Sequence, residues 1–172
     1  MRKSNPKIAF VMLGIACIAT LFYFFILEPI KEKSQIINTI ELANKSQFEA
    51  FQRLPIIDST FLLKHYQRDG NAYKVILTLL KNNKSNTIRI NQPNGNPSFQ
   101  KVFSCKVMKL KSGIAIAKTS EHSFLKWYNT ELAKYVVSYN EKNEQLYELI
   151  KERDKWKITH NYFEGKATPI NY

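Results

Sequence analysis

The uncharged run from Ile8 to Leu27, IAFVMLGIACIATLFYFFIL, constrains this chain more than any other feature. A helix rises about 1.5 Å per residue, so these 20 residues match the roughly 30 Å hydrocarbon layer of a bilayer. Arg2, Lys3 and Lys7 precede the run and Glu28, Pro29, Lys31, Glu32 and Lys33 follow it, which puts both ends at headgroup depth. The short basic front favours an N-terminus in the cytoplasm, with everything after the span on the other side.

Three other readings compete with a span. A cleavable signal peptide has an apolar region of roughly 7 to 15 residues and a small-residue cleavage site, whereas this run is longer and ends in Phe24, Phe25, Ile26 and Leu27. Lipidation of Cys17, after Gly14, Ile15 and Ala16, would leave a mostly apolar tail that is redundant beside a lipid anchor. A core helix of a soluble protein does not need so long an unbroken run with Phe and Tyr gathered at one end.

The expected organisation is a cytoplasmic stub (1–7), a transmembrane helix (8–27), an amphipathic connector helix (28–57), one α+β domain (58–164) and a tail (165–172). With 172 residues there is room for one ordinary domain beside the anchor. Cys17 lies in the apolar run and Cys105 in an expected strand, so no disulfide is expected.

In the connector, Ile37, Ile40, Phe48, Phe51 and Leu54 recur at helical spacing beside Glu41, Lys45, Glu49 and Arg53, and Pro55 ends the pattern. Asp58 reads as a cap for a short helix from Ser59 to Gln67, with Gly70 as its stop. Residues 71–82 fit a strand through Tyr73, Val75, Leu77 and Leu79, or a helix through Tyr73, Leu77 and Leu80; helix is favoured.

From Asn83 onward the signals are those of strands. Thr87 to Asn91 is followed by a turn-rich loop from Gln92 to Pro97. In Phe99 to Leu110 the alternation slips at Val107 and Met108. A bulge there would bring Phe103, Cys105, Val107, Met108 and Leu110 to one face and leave Ser104, Lys106, Lys109 and Lys111 outside. A turn at Lys111 to Gly113 leads into Ile114 to Thr119, and two further strands, Leu132 to Tyr139 and Gln145 to Lys151, flank Asn140 to Asn143. The last strand is expected to place Trp156, Ile158, His160 and Tyr162 on its core face.

Ala115 to Glu121 (AIAKTSE), Tyr147 to Lys151 (YELIK) and Asp154 to Ile158 (DKWKI) resemble the closing strands of the cone-shaped α+β superfamily of nuclear transport factor and ketosteroid isomerase. The resemblance implies N-terminal helices packed on a curved antiparallel sheet, with room for a cavity inside the cone. Many functions share that fold, so it informs shape rather than chemistry. Its membrane-anchored members include assembly subunits of type IV secretion and conjugation machines, and domains that recruit partners in organelle division.

The net charge of +12 is uneven: Asp58 to Lys118 carries eleven Lys and Arg against two Asp, while Thr119 to Tyr172 balances at eight of each sign. Lys106, Lys109 and Lys111 are the best-defined part of a face that would attract anionic lipid or an acidic protein surface, although a lysine-rich solvated surface needs no function at all. Nucleic acid is not an expected partner, since no helix-turn-helix, zinc or RNA-binding signature is present. Neither a metal nor a cofactor is expected: the three histidines lack metal spacing, and there is no Gly-rich phosphate loop or nucleophile elbow. His160, with Tyr147 or Tyr135, could share a pocket behind Trp156, Ile158 and Tyr162. The carboxylates that could serve it, Asp58 and Glu121, read more simply as a cap and a solvated strand end.

These features point to a non-enzymatic interaction or scaffold subunit of a membrane or cell-envelope complex, anchored by one span. Its partners would be membrane lipid and other membrane or envelope proteins. The alternative is a tethered small-molecule binder or enzyme using a cone cavity.

Overall fold

A computed structural model of the protein describes residues 6–85, 87–90 and 97–164. Residues 1–5, the loop expected after Asn91 as far as Asn96, and the tail from Gly165 lie outside the described residues. The chain divides into two compact units, one ending at Gln35 and one beginning at Ile36.

In the first unit, α1 (Pro6–Phe22) passes into a π-helical turn (Tyr23–Leu27) and then into α2 (Glu28–Gln52), so the uncharged run is helical throughout. The helical stretch beginning at Val11 contains a segment of mean hydropathy 2.2, long and apolar enough to cross a membrane, none of it buried within the chain. The one hydroxyl group there that could disturb the helix, on Thr20, donates to the Ala16 carbonyl at 2.8 Å.

The second unit begins within α2. Ile36, Ile40 and Ala43 are buried, as is Asn44, whereas the expected Ile37 is only half-buried. The stripe is rotated because Asn44 faces inward to a buried polar partner across the core. Each fully buried Ile contributes roughly 1.5–3 kcal/mol relative to exposure. The short helix expected over Ser59–Gln67 is a single 3-10 turn, Leu62–Lys64. Its continuation is extended because Gln67 N–H donates to the Ile158 carbonyl and Ile158 N–H to the His65 carbonyl, joining Tyr66 to the edge of the sheet.

Helix α3 (Asn71–Asn83) buries Tyr73, Ile76 and Leu80, which is the favoured helical reading of residues 71–82. Gly70 does not stop a helix; it directly precedes α3, pressed against the last strand. A Cβ at this position would lie 2.9 Å from the Thr159 carbonyl oxygen and 3.0 Å from its Cα. We expect Gly70→Ala to destabilise the protein by about 1–3 kcal/mol in thermal unfolding, because only backbone can give way there.

The sheet comprises β1 (Ile88–Arg89), β2 (Phe99–Lys111), β3 (Ile114–Asn129), β4 (Lys134–Glu152) and β5 (Lys155–Glu164), all antiparallel. Its order is β1-β3-β4-β5, and β2 pairs with β3 on the same side as β1. Ser112 and Gly113, both at positive φ, join β2 to β3; Arg153 and Asp154, likewise positive, join β4 to β5. Paired positive φ matches the right-handed twist of the flanking strands. β3 runs ten residues beyond the expected end at Thr119, and β4 passes straight through Asn140–Asn143 instead of breaking. Those polar residues form no turn because each pairs in register with β3. The core thus lies between one face of a curled sheet and the helical segments, through Leu62, Tyr66, Leu80, Ala115, Ala117, Leu149, Trp156 and Ile158. This is the α+β class expected, with N-terminal helices followed by an antiparallel sheet.

Candidate functional site

Alternation along β3 builds the interior. Ala115 and Ala117 lie against the helices, Thr119 and Glu121 follow in the middle, and Ser123, Leu125 and Trp127 continue the same face. The small alanines let the helices approach closely; farther along, the larger side chains line open space.

The middle layer is a polar network. Glu121 is 1% exposed. Its Oε1 accepts from the Tyr147 hydroxyl at 2.7 Å, the Thr119 hydroxyl at 2.8 Å and Asn44 Nδ2 at 3.4 Å, and its Oε2 accepts from Gln145 Nε2 at 3.1 Å. Asn44 Nδ2 also donates to the Tyr147 oxygen at 2.9 Å, and Gln100 Nε2 donates to Asn44 Oδ1 at 2.7 Å. A buried carboxylate is tolerated when donors replace its water, and here four donors do so. The solvated strand end expected of Glu121 is therefore corrected: β3 continues past it, and the alternation turns it inward. Asp58 caps no helix, since the 3-10 turn that follows begins from Phe61 without a side-chain cap; it closes a local turn instead, accepting from the Thr60 amide at 3.0 Å and hydroxyl at 2.7 Å, and these bonds lower its pKa.

Burial, reinforced by the Glu121 charge, holds the Tyr147 phenol well above its ordinary 10.0, and the same two causes raise Tyr66. A raised folded-state value means that the unfolded chain ionises first. Stability from these groups is intact below about pH 10 and is lost as pH rises further. We expect the unfolding free energy from urea denaturation to fall above about pH 10, by up to about 1.4 kcal/mol per pH unit per tyrosine. The Tyr66→Phe, Tyr147→Phe double variant should show a flatter alkaline limb.

Beyond this network a cavity of 360 Å³ lies between α2 and the far half of the sheet. Phe48, Phe51, Leu125, Trp127 and Tyr139 supply apolar walls, and Gln47, Gln100 and Ser123 supply polar groups. Gln100 connects the cavity wall to Asn44 and so to the Glu121 network. Glu141, opposite Ser123 in register, has a buried Oε2 without a hydrogen-bond partner among the described residues. The cavity opens on the far half of β3 and not behind the last strand, a position signalled in the sequence by the alternation of Thr119, Glu121, Ser123, Leu125 and Trp127.

The expected pocket residues do not share one face. Trp156 and Ile158 are core, and Tyr147 belongs to the network. In β5, Ile158 pairs with Leu149 and His160 with Glu148, leaving Thr159 as an extra, bulged residue. A bulge reverses the alternation beyond it, so His160 and Tyr162 stand on the outer face. There the two rings stack at 5.7 Å, and His160 Nδ1 lies 3.3 Å from Glu148 Oε2. Tyr135 is also outside, packed edge-on against Tyr128.

The β2 reading holds in part. The bulge at Met108 is present, and Lys106, Lys109 and Lys111 are exposed together on the outer face. Phe103 and Met108, expected inside, point outward: each is the extra residue of a bulge, and Val102, Cys105, Val107 and Leu110 fill the inner face instead. Among the described residues no group of three or more His, Cys, Asp or Glu is gathered as metal ligands would be.

No protein-family model matches the chain, and no curated protein matches it. Among solved structures, the crystal structure of the intermembrane space region of the chloroplast protein ARC6 superposes with a TM-score of 0.48 at 13% identity, covering 77% of this chain and 94% of that one.

Proposed function

We propose that this protein is a single-pass, membrane-anchored interaction subunit of a membrane or cell-envelope complex, without catalysis of its own. Its domain would belong to the cone-shaped superfamily and sit on the non-cytoplasmic side. The observation that carries the reading is the apolar helix, which is long enough to span a bilayer and has no burial within the chain, so something apolar outside the chain must cover it. Tethering raises the local concentration of the domain near its partners, so individually weak contacts suffice. The test is sedimentation of the full-length chain: it should stay with the membrane pellet through alkaline extraction, with its N-terminus upstream of Leu27. A chain found in the aqueous fraction, or one that begins after Leu27, overturns the reading.

The 360 Å³ cavity supports a second reading, a tethered binder of a small, mostly apolar molecule with one or two hydrogen-bonding groups. Trp127 lines that cavity, so a ligand entering it should shift tryptophan emission in the full chain but not in Trp127→Phe.

A further inference from the structure

The outer face of the sheet carries a feature that neither the anchor nor the cavity uses. Phe99 and Phe103 are 40% and 57% exposed. Phe99 meets His122 edge-on at 5.1 Å and Phe124 at 5.8 Å, and Phe103 stacks on His122 at 5.7 Å. Lys101 Nζ lies 5.6 Å from the Phe103 ring centre, and Lys126 Nζ 5.9 Å from that of Phe124. The result is a contiguous aromatic row interleaved with cations.

The row is not a leftover of core packing. Simple alternation along β2 would place Phe103 with Cys105 and Val107, on the inner face; the bulge between Val102 and Ser104 turns it outward. Charge on the β2–β3 part of this face is one-sided. β2 contains four lysines and no carboxylate, and the only acid on β3, Glu121, points into the core. The neighbouring Glu144 of β4 already pairs with Lys118 at 2.8 Å.

We propose that this face, centred on Phe103 and His122, docks an acidic protein segment that also carries apolar side chains. The proposal rests on the reading of the chain as an interaction subunit and names the chemistry of its partner. Rings supply contact area at low entropic cost, and the lysines steer and orient carboxylates. An anionic bilayer fits less well, because Phe103 and Phe124 could not enter hydrocarbon without drawing in the ammonium groups beside them. Single-stranded nucleic acid also fits less well, because the stacking faces of Phe103 and Phe124 are already engaged by His122 and the lysines.

The test uses the full-length protein in mild detergent and a fluorescein-labelled peptide of glutamate, phenylalanine and serine, followed by anisotropy. The peptide should bind, more weakly as salt rises. Phe103→Ser should lower its affinity about tenfold. Lys101→Glu should weaken binding mainly at low salt, and it serves as the second variant should Phe103→Ser lose its native circular dichroism. Lys155→Glu, at the exposed start of β5, should change nothing. The proposal is overturned by a peptide that does not bind, by equal binding of a version with serine in place of phenylalanine, or by affinity indifferent to Phe103 and Lys101. Tighter binding of phosphatidylglycerol vesicles or oligothymidine through the same residues overturns it equally. A chain that leaves the membrane yet binds the peptide refutes the anchor alone; a membrane-bound chain without peptide affinity refutes the docking face alone.

Discussion

Arginine at both Ile15 and Ile18 is expected to release the chain from the membrane. These side chains are 62% and 69% exposed within the chain, so they have no protein surroundings that could shelter a charge. An arginine near the centre of a span costs about 2.5–3.5 kcal/mol on insertion scales. Two together cost about 5–7 kcal/mol, a shift of about three to five orders of magnitude in the insertion equilibrium. In sedimentation after alkaline extraction, the double variant should move to the supernatant or be degraded, while Ile15→Leu, Ile18→Leu stays in the pellet. Retention of the arginine variant at wild-type level would mean that the helix does not span.

The largest effect inside the domain is expected from Glu121→Leu. The substitution keeps approximate volume and removes a buried charge, which by itself favours folding. Against that, it takes away the acceptor of the Thr119 hydroxyl and leaves the Tyr147 hydroxyl and the Gln145 amide only longer bonds of 3.4 Å, to Gln145 Oε1 and Asn143 Oδ1. A buried donor left unsatisfied costs about 1–3 kcal/mol, so one lost and two weakened bonds outweigh the relief and a net loss of about 2–4 kcal/mol is expected. Glu121→Gln should lie between, because one amide oxygen still accepts while its NH₂ faces other donors. Urea unfolding of the full chain in mild detergent measures both. A Leu variant as stable as wild type would mean that the network contributes nothing net, and that its place beside the cavity must be explained by ligand binding instead.

Much of the fold was readable from local pattern. The uncharged run, the helical spacing of Tyr73 and Leu80, the turn at Ser112 and Gly113 and the slip at Met108 each depend on neighbours a few residues away, and each is present in the structure. Where the reading failed, the deciding partner was remote. The inward face of α2 is set by Asn44, whose contacts reach Glu121, 77 residues on, and Tyr147, 103 residues on. Asn140–Asn143 resembled a turn because their polarity is that of turns, yet pairing with β3 makes them strand. The alternation in β5 looked uninterrupted, and nothing in the side chains of Thr159 or His160 announces the extra residue that turns His160 and Tyr162 away from the interior.

Composition and short periods alone specify the uncharged helix, the α+β class, the exposed lysines of β2 and a net positive chain, because they encode hydrophobic burial directly. Which polar groups are buried, where the cavity opens and which aromatic rings face outward are outcomes of the folded arrangement. Those outcomes depend on strand register and bulges, where one residue more or less exchanges the two faces of a strand, and register is settled by contacts between distant segments.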